Sequence, residues 1–233
     1  YLAKVGVKVV VFERDSVAAH ASGYSAGGLN PLQGAGIPGP LGPLAIESYR
    51  IHLSLWDTLA SETGVDFSPG VISVVRAAFD ESELPELRET ARLHEAADGF
   101  TGALLDSDEL YRMVPGLACD AIGGVYTHGN AALDSYLYTL ALARAAEQLG
   151  AEVHTGNVTG LKKMGDRVVA VLLDDAEVAC GTVVLAMGPW SARAEAWLDV
   201  VVPVKPLRGE ILRMDVSGCE PPGHDLSGLG VLL

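Results

Sequence analysis

Hydrophobic runs and the polar breaks between them divide the chain into short strands and amphipathic helices. Lys8-Val9-Val10-Val11-Phe12-Glu13-Arg14-Asp15 is an apolar run that ends in charge, the pattern of a buried strand. Ahead of it, Tyr1-Leu2-Ala3-Lys4 reads as a helix tail that closes on Gly6. Leu44, Ile51, Leu55 and Leu59 form one stripe of a helix over 44–63, and Gly64 suits its stop. Strand-like runs follow at 65–67 and 71–76, then a charged helix over 81–98. A short helix opens at Asp106-Ser107-Asp108-Glu109, and Gly123-Gly124-Val125-Tyr126-Thr127 reads as a strand. Asp134 caps a helix over 135–149, with Leu137, Leu140, Ala141, Ala145 and Leu149 on one face and Gly150 beyond its end. After Glu152-Val153-His154, runs at 158–164, 167–173 and 177–185 are separated by Gly165-Asp166 and Asp174-Asp175, which predicts an antiparallel meander. The third run continues into Val183-Val184-Leu185-Ala186-Met187-Gly188-Pro189-Trp190, and 202–214, broken by Pro203 and Pro206, reads as extended chain.

The first strand and the helix tail before it have the form of the second strand of a dinucleotide-binding βαβ unit. Its last carboxylate, Glu13, is then placed to accept hydrogen bonds from a ribose, and reads equally as a charge that solvates the end of an ordinary α/β strand. The glycine-rich turn of such a unit comes roughly 20 residues earlier, which is upstream of Tyr1. Between 65 and 130 short strands mix with surface helices and interrupt the nucleotide-binding pattern, as an inserted domain would.

Composition narrows the partners. A chain of 233 residues, 49% hydrophobic and 20% charged, can bury a core in one large domain or two small ones. A net charge of -14 disfavours nucleic acid and anionic membrane surfaces. It says little about a small anionic cofactor, whose phosphates backbone N–H groups can hold. Cys119, Cys180 and Cys219 form no CxxC pair, which favours a reducing, cytoplasmic setting over a disulfide framework. His20, His52, His94, His128, His154 and His224 show no metal-binding spacing, so no metal is expected. No apolar run approaches the length of a membrane span.

The stretch Ala19-His20-Ala21-Ser22-Gly23-Tyr24-Ser25-Ala26-Gly27-Gly28-Leu29 is dominated by small residues, which let backbone approach a ligand closely. Glu13, this stretch and the strand ending in Ala186-Met187-Gly188 occur in an order that resembles the FAD-dependent amine-oxidising family of D-amino-acid oxidase, glycine oxidase and sarcosine oxidase. Ser22 to Leu29 looks like the family's motif beside the pyrophosphate and flavin. The 183–191 segment looks like its second cofactor motif, and Val202-Pro203-Val204-Lys205-Pro206-Leu207-Arg208-Gly209-Glu210 is similar to its strand entering the substrate domain.

The resemblance implies an α/β fold: a Rossmann-like FAD-binding domain, with a parallel sheet and a three-stranded antiparallel meander, interrupted by an α+β substrate domain. The FAD-binding domain would comprise 1–64 and 134–200, the substrate domain 65–133 and 201–233. Glu13 would bind the adenosine ribose, with Arg14 near the adenine or ribose. Ser22, Ser25, Ala26, Gly27 and Gly28 would face the pyrophosphate and flavin, Val158 the adenine edge, and Ala186 and Gly188 the cofactor. Some relatives attach FAD to a histidine where this chain has Ser25, so the FAD is expected to be non-covalent. His20 lies too far upstream to substitute and reads as a loop histidine.

The implied reaction is oxidation of a C–N bond in an amine or amino acid, with hydride passing to flavin and electrons on to oxygen or another acceptor. No catalytic side chain is nominated. Tyr126, His128 and Arg208 are the nearest candidates for substrate recognition, but each reads first as something plainer: a sheet aromatic, a turn residue, and a surface or cofactor-side charge. The sequence reads as truncated at both ends, and the chain alone is expected not to retain FAD. A flavin monooxygenase, an NAD-dependent dehydrogenase or nucleotide-binding module, and an inactive remnant are the alternatives.

Overall fold

The computed structural model describes residues 1–34, 36–117, 120–210, 225–228 and 231–232. The chain opens with a 3-10 turn, Ala3–Val5, closed by Gly6 at φ 82°, whose N–H donates to the Ala3 carbonyl. There follow β1 (Val10–Glu13), α1 (Ala21–Tyr24), β2 (Gly28–Leu29), α2 (Gly42–Thr63), β3 (Gly70–Ala78), α3 (Leu84–Glu95), β4 (Thr101–Leu105) and α4 (Ser107–Met113). Then come β5 (Gly123–Ala132), α5 (Ser135–Gln148), β6 (Glu152–Thr155), β7 (Val158–Met164), β8 (Arg167–Leu173), β9 (Glu177–Ala179), a 3-10 helix Gly188–Ala194, α6 (Glu195–Leu198), β10 (Asp225–Gly228) and β11 (Val231–Leu232). These elements group into two compact units.

The first unit comprises Tyr1–Ala26, Leu59–Asp66 and Ser135–Arg213. β1 and β6 pair in parallel, Val10 opposite Glu152 and Glu13 opposite Thr155, and Phe12 stacks on His154. β7, β8 and β9 form a separate antiparallel meander, tied across by a Lys162–Glu177 ion pair of 2.7 Å. Gly150, at φ 90°, stops α5 and turns the chain into β6. α5 buries Tyr138 and Ala141; burial, with the Tyr1 phenol adding to it, pushes the Tyr138 hydroxyl up to about 12.

The second unit comprises Gly27–Thr58, Phe67–Asp134 and Met214–Leu233, and is organised around a six-stranded sheet. β3 and β5 form its antiparallel centre, β2 and β4 pair with β5, and β10 runs parallel to β3. Side chains alternate between the two faces. Ala78 and Val125 face α3, where Leu87 and Ala91 are buried against them. Val75 and Ala77 face α4, packed with Leu110, Val114 and Ala121. α4 begins in a capping box, as the sequence around Asp106 predicts: the Glu109 N–H donates to Asp106 Oδ1 at 2.8 Å, and the Asp106 N–H to Glu109 Oε2 at 3.0 Å.

The expected fold class holds: an α/β unit with a parallel pair and an antiparallel meander, and an α+β unit built on a mixed sheet. Several boundaries differ. Residues 65–67 are not a strand; Val65 and Phe67 are buried in irregular chain, and the Phe67 carbonyl accepts from the Asp134 N–H at 2.8 Å. The charged helix begins as a 3-10 turn at Glu81–Glu83 and its α-helical part ends at Glu95. The strand expected over 123–127 runs on to Ala132, because Gly129, at φ 105°, forms a bulge that keeps the pairing with β3. The third meander run stops at Ala179, and 183–187 is irregular and pairs with no strand among the described residues. Residues 202–210 have no regular structure, and 211–214 of that expected extended stretch lie outside the described residues. Gly27–Thr58 groups with the second unit rather than with 1–26, because β2 pairs with β5, Gly28 opposite Ala132.

Candidate functional site

Open α/β sheets bind nucleotides in the crevice outside the C-terminal ends of their parallel strands. Glu13 is the last residue of β1 and is half-buried. Its backbone carbonyl accepts the Gly156 N–H at 2.8 Å, which ties the end of β1 to the turn after β6. Its carboxylate Oε1 accepts from the Asp15 N–H at 3.0 Å, turning the chain sharply away from the strand. Val158 starts the meander two residues beyond Gly156, opposite Leu173. Gly156 leaves little room: a Cβ there would lie 3.2 Å from a Leu173 methyl and 3.4 Å from the Phe12 ring. Small size at Gly156 thus lets the meander close against the end of β1.

Beside Glu13 sits a compact polar and aromatic cluster. His20 Nε2 lies 2.6 Å from Asp15 Oδ2, and Arg14 Nε donates to the same carboxylate oxygen at 3.0 Å. The Arg14 guanidinium lies 5.2 Å from the centre of the Trp190 ring, and His20 meets that ring edge-on at 4.8 Å. The His20 hydrogen bond, followed by Arg14, holds the Asp15 carboxyl below its ordinary value. Glu13, Asp15 and His20 offer ligand atoms within 4.8 Å of one another. The guanidinium sits among them, 3.2 Å from His20 Nε2, so a metal ion would meet a fixed positive charge. The cluster reads as an ion-pair network, not as a metal site.

Trp190 carries the second sequence motif into this cluster. Gly188 adopts φ 50°, the Trp190 N–H donates to the Met187 carbonyl at 3.0 Å, and Ser191 Oγ donates to the Gly188 carbonyl at 2.7 Å. The positive φ is what glycine supplies at this turn. Ala186 and Gly188 are exposed. Thus Glu13, Arg14, Val158 and the turn at Gly188 come from segments far apart in sequence and belong to one unit.

The small-residue segment is divided. Ser22, Ser25 and Ala26 are exposed in the first unit, and Ser135 Oγ at the start of α5 donates to the Ser25 carbonyl at 2.8 Å. Gly23 is buried, and a Cβ there would lie 2.0 Å from the Ala18 carbonyl oxygen. Gly27 and Gly28 belong to the second unit, where a Cβ on Gly27 would lie 1.8 Å from the Leu133 carbonyl oxygen. Of the substrate candidates, Arg208 is exposed and paired with Glu210 at 2.9 Å, while Tyr126 and His128 lie on β5. Sequence reasoning set His20 aside as a loop residue and passed over Asp15 and Trp190. The Asp15 and His20 spacing of five residues across a turn was the available signal; nothing local to Trp190 points to Arg14.

Residues 1–230 match the DAO family, described as FAD dependent oxidoreductase. The chain belongs to that family. It is 30% identical over 215 residues to a glycine oxidase of Pseudomonas aeruginosa, covering 91% of this chain and 57% of that protein. It is 28% identical over 212 residues to a glycine oxidase of Geobacillus kaustophilus, covering 90% of this chain and 55% of that protein. The crystal structure of glycine oxidase from Geobacillus kaustophilus superposes with a TM-score of 0.81 at 26% identity, covering 88% of this chain and 55% of that one. The chain therefore spans about half the length of the curated relatives it matches. Among the described residues no helix is long and apolar enough to cross a membrane.

The first unit's residues fit the adenosine part of the family's cofactor, FAD. A carboxylate stands at the end of β1, the strand ends around it are lined by Gly156 and Val158, and Ser22 on α1 and Ser25 just after it are exposed residues.

Proposed function

We propose that the protein holds FAD non-covalently and oxidises the C–N bond of an amino acid or a secondary amine. Bound FAD would supply the hydride acceptor for the carbon beside the amine and the path for electrons to oxygen or another acceptor. The chain's own residues bind and orient. Glu13 accepts hydrogen bonds from the ribose hydroxyls, and Val158 reads the adenine edge with its backbone groups. Ser22, Ser25, Ala26, Gly27 and Gly28 offer hydroxyl and N–H donors to the pyrophosphate and flavin side, and Ala186 and Gly188 line the cofactor. With serine at position 25 there is no imidazole at that point to form a covalent link. The reading assigns 65–133 to the substrate and a cytoplasmic setting to the protein.

The observation that carries the proposal is the half-buried Glu13 carboxylate at the C-terminal end of a parallel strand pair, in a chain of the FAD dependent oxidoreductase family. The glycine oxidases among its relatives favour a small amino acid or amine. The nicotinamide-dependent alternative has no comparable support.

Because the chain alone is expected not to retain FAD, the test keeps excess FAD in solution with the protein and adds glycine, sarcosine or D-alanine in the absence of oxygen. Loss of the flavin's visible absorbance with release of an oxo acid is expected for at least one of them. Acid precipitation should leave the flavin in the supernatant. A flavin that no amine reduces would overturn the proposed reaction, and a flavin that stays with the pellet would overturn the non-covalent reading.

A further inference from the structure

The turn that carries Trp190 holds itself together without the indole. Gly188 supplies the positive φ, the Trp190 N–H donates to the Met187 carbonyl, and Ser191 Oγ donates to the Gly188 carbonyl. The indole is half-buried, and its face carries the Arg14 guanidinium, with Cζ 5.2 Å from the ring centre. His20 meets the same indole edge-on at 4.8 Å.

Asp15 fixes the guanidinium on a second side. A carboxylate oxygen only accepts, so His20 Nε2, 2.6 Å from Asp15 Oδ2, is protonated and its N–H donates there. That nitrogen then has no lone pair for Arg14 Nη2 at 3.2 Å. Nη2 instead lies 3.0 Å from Asp15 Oδ2, the oxygen to which Arg14 Nε donates at 3.0 Å. Asp15 thus holds the edge formed by Nε and Nη2, and Trp190 holds one face. Nη1, with two N–H donors, has no protein partner among the described residues.

This network adds little to the stability of the fold, because the Arg14 and Asp15 side chains are 40% and 45% exposed and solvent screens the pair. Its effect is to remove the freedom of a long, flexible side chain next to the last residue of β1. A Glu13 carboxylate oxygen lies within 4.8 Å of one of Asp15's. Neighbouring hydroxyls of a ribose each donate and accept. A carboxylate beside a guanidinium with open N–H groups matches both roles.

We propose that Trp190 is a positioning residue for the adenosine end of FAD. Its indole and the Asp15 carboxylate hold the Arg14 guanidinium so that Nη1 donates to one ribose hydroxyl while Glu13 accepts from its neighbour. The inference rests on the proposed FAD site. Trp190 acts through Arg14, and all of these residues belong to the first unit.

The test is fluorescence titration of the protein with FAD, and displacement by ADP, which carries the adenosine half without the flavin. Trp190→Leu should weaken both ligands by about threefold to tenfold, the scale of having to order one long side chain on binding. Trp190→Phe, which restores an aromatic face, should recover most of that loss. Arg14→Gln should weaken both ligands at least as much, and adding Trp190→Leu to it should change nothing further. An unchanged affinity in Trp190→Leu, or a second loss of the same size in the Arg14→Gln background, overturns the positioning role. If Trp190→Leu does not fold, Asp15→Asn takes its place. It releases the other edge of the guanidinium and should weaken both ligands by a similar factor; an unchanged affinity there overturns the proposal. If the expected pattern is found and no amine reduces the flavin, the role of Trp190 stands and the reaction falls. A wild-type protein that neither ligand titrates overturns the cofactor site and the positioning role together.

Discussion

The two units bury very different side chains. The largest fully buried residues, Phe67, Leu87, Leu110, His94, Val75 and Val125, all belong to the second unit. In the first unit the buried set is small: Ala141, Ala151, Ala170 and Ala194, with Leu59, Val65 and Tyr138, while Val5, Val7, Val11, Val184 and Val201 are exposed. The first unit's character therefore lies in polar groups near strand ends, and Glu13, Arg14, Asp15 and His20 are held mainly by short-range bonds to one another. The second unit's character lies in a packed sheet with helices on both faces, and its polar residues are positioned by register and by one bulge.

Leu110 puts the largest effect on this contrast. It is fully buried among Val75, Ala77, Val114 and Ala121, so Leu110→Ala should destabilise the second unit by about 3 kcal/mol. Val11→Ala in the first unit, at a side chain 44% exposed, should change stability by less than about 0.5 kcal/mol. Denaturant unfolding of the two variants reads both numbers. Equal losses would mean that the first unit has a core which burial does not reveal.

The next effect belongs to the first unit and concerns ligand affinity. If Glu13 accepts the ribose hydroxyls as proposed, Glu13→Gln should weaken FAD binding by about tenfold or more, the range for hydrogen bonds to a charged group. The Leu110→Ala unfolding signature should not appear in this variant. An unchanged affinity in fluorescence titration would remove Glu13 from the site and leave its role as the turn acceptor for the Asp15 N–H.

How much of this was legible depended on how local the cause is. β1, α2, α5 and the β7–β8 hairpin follow from residue spacing within each segment, and so does the start of α4. There the Asp106 and Glu109 pair is a complete cap in four residues. Removing it with Asp106→Ala should cost about 1 kcal/mol of second-unit stability by the same unfolding measurement. β4 went unread because Thr-Gly-Ala-Leu-Leu has no clean alternation and is a strand only through its pairing with β5. The end of the third meander run was misplaced for the complementary reason: 183–187 is apolar enough for a strand, yet strand identity needs a partner as well as a pattern. The position of Glu13 at the end of β1 was legible as the end of an apolar run. The contact between Arg14 and Trp190 was not, since it joins positions far apart in sequence.

Asp15 supplies the smallest effect and the most local one. Its carboxyl is held below the ordinary value of 3.8, first by the His20 hydrogen bond and then by Arg14. A carboxylate lowered in the folded state stabilises the fold above its unfolded value, and that contribution is lost as pH falls through the folded value. The Asp15 carboxylate's contribution should therefore persist down to about pH 4 and be lost below it. Both partners are substantially exposed, 38% for His20 and 45% for Asp15, so solvent screening keeps the energetic effect slight. A spectroscopic readout suits it better than unfolding. With Trp56→Phe and Trp197→Phe leaving Trp190 as the only indole, its emission should change on acidification below about pH 4 as the guanidinium and imidazole lose their anchor. Asp15→Asn should abolish that transition and give the acid-state emission at neutral pH. A transition that survives in Asp15→Asn would mean that Arg14 stays on the Trp190 ring without the carboxylate. The short-range bonds would then be a consequence of that distant contact, and the contrast with the second unit would weaken at the point where it is most specific.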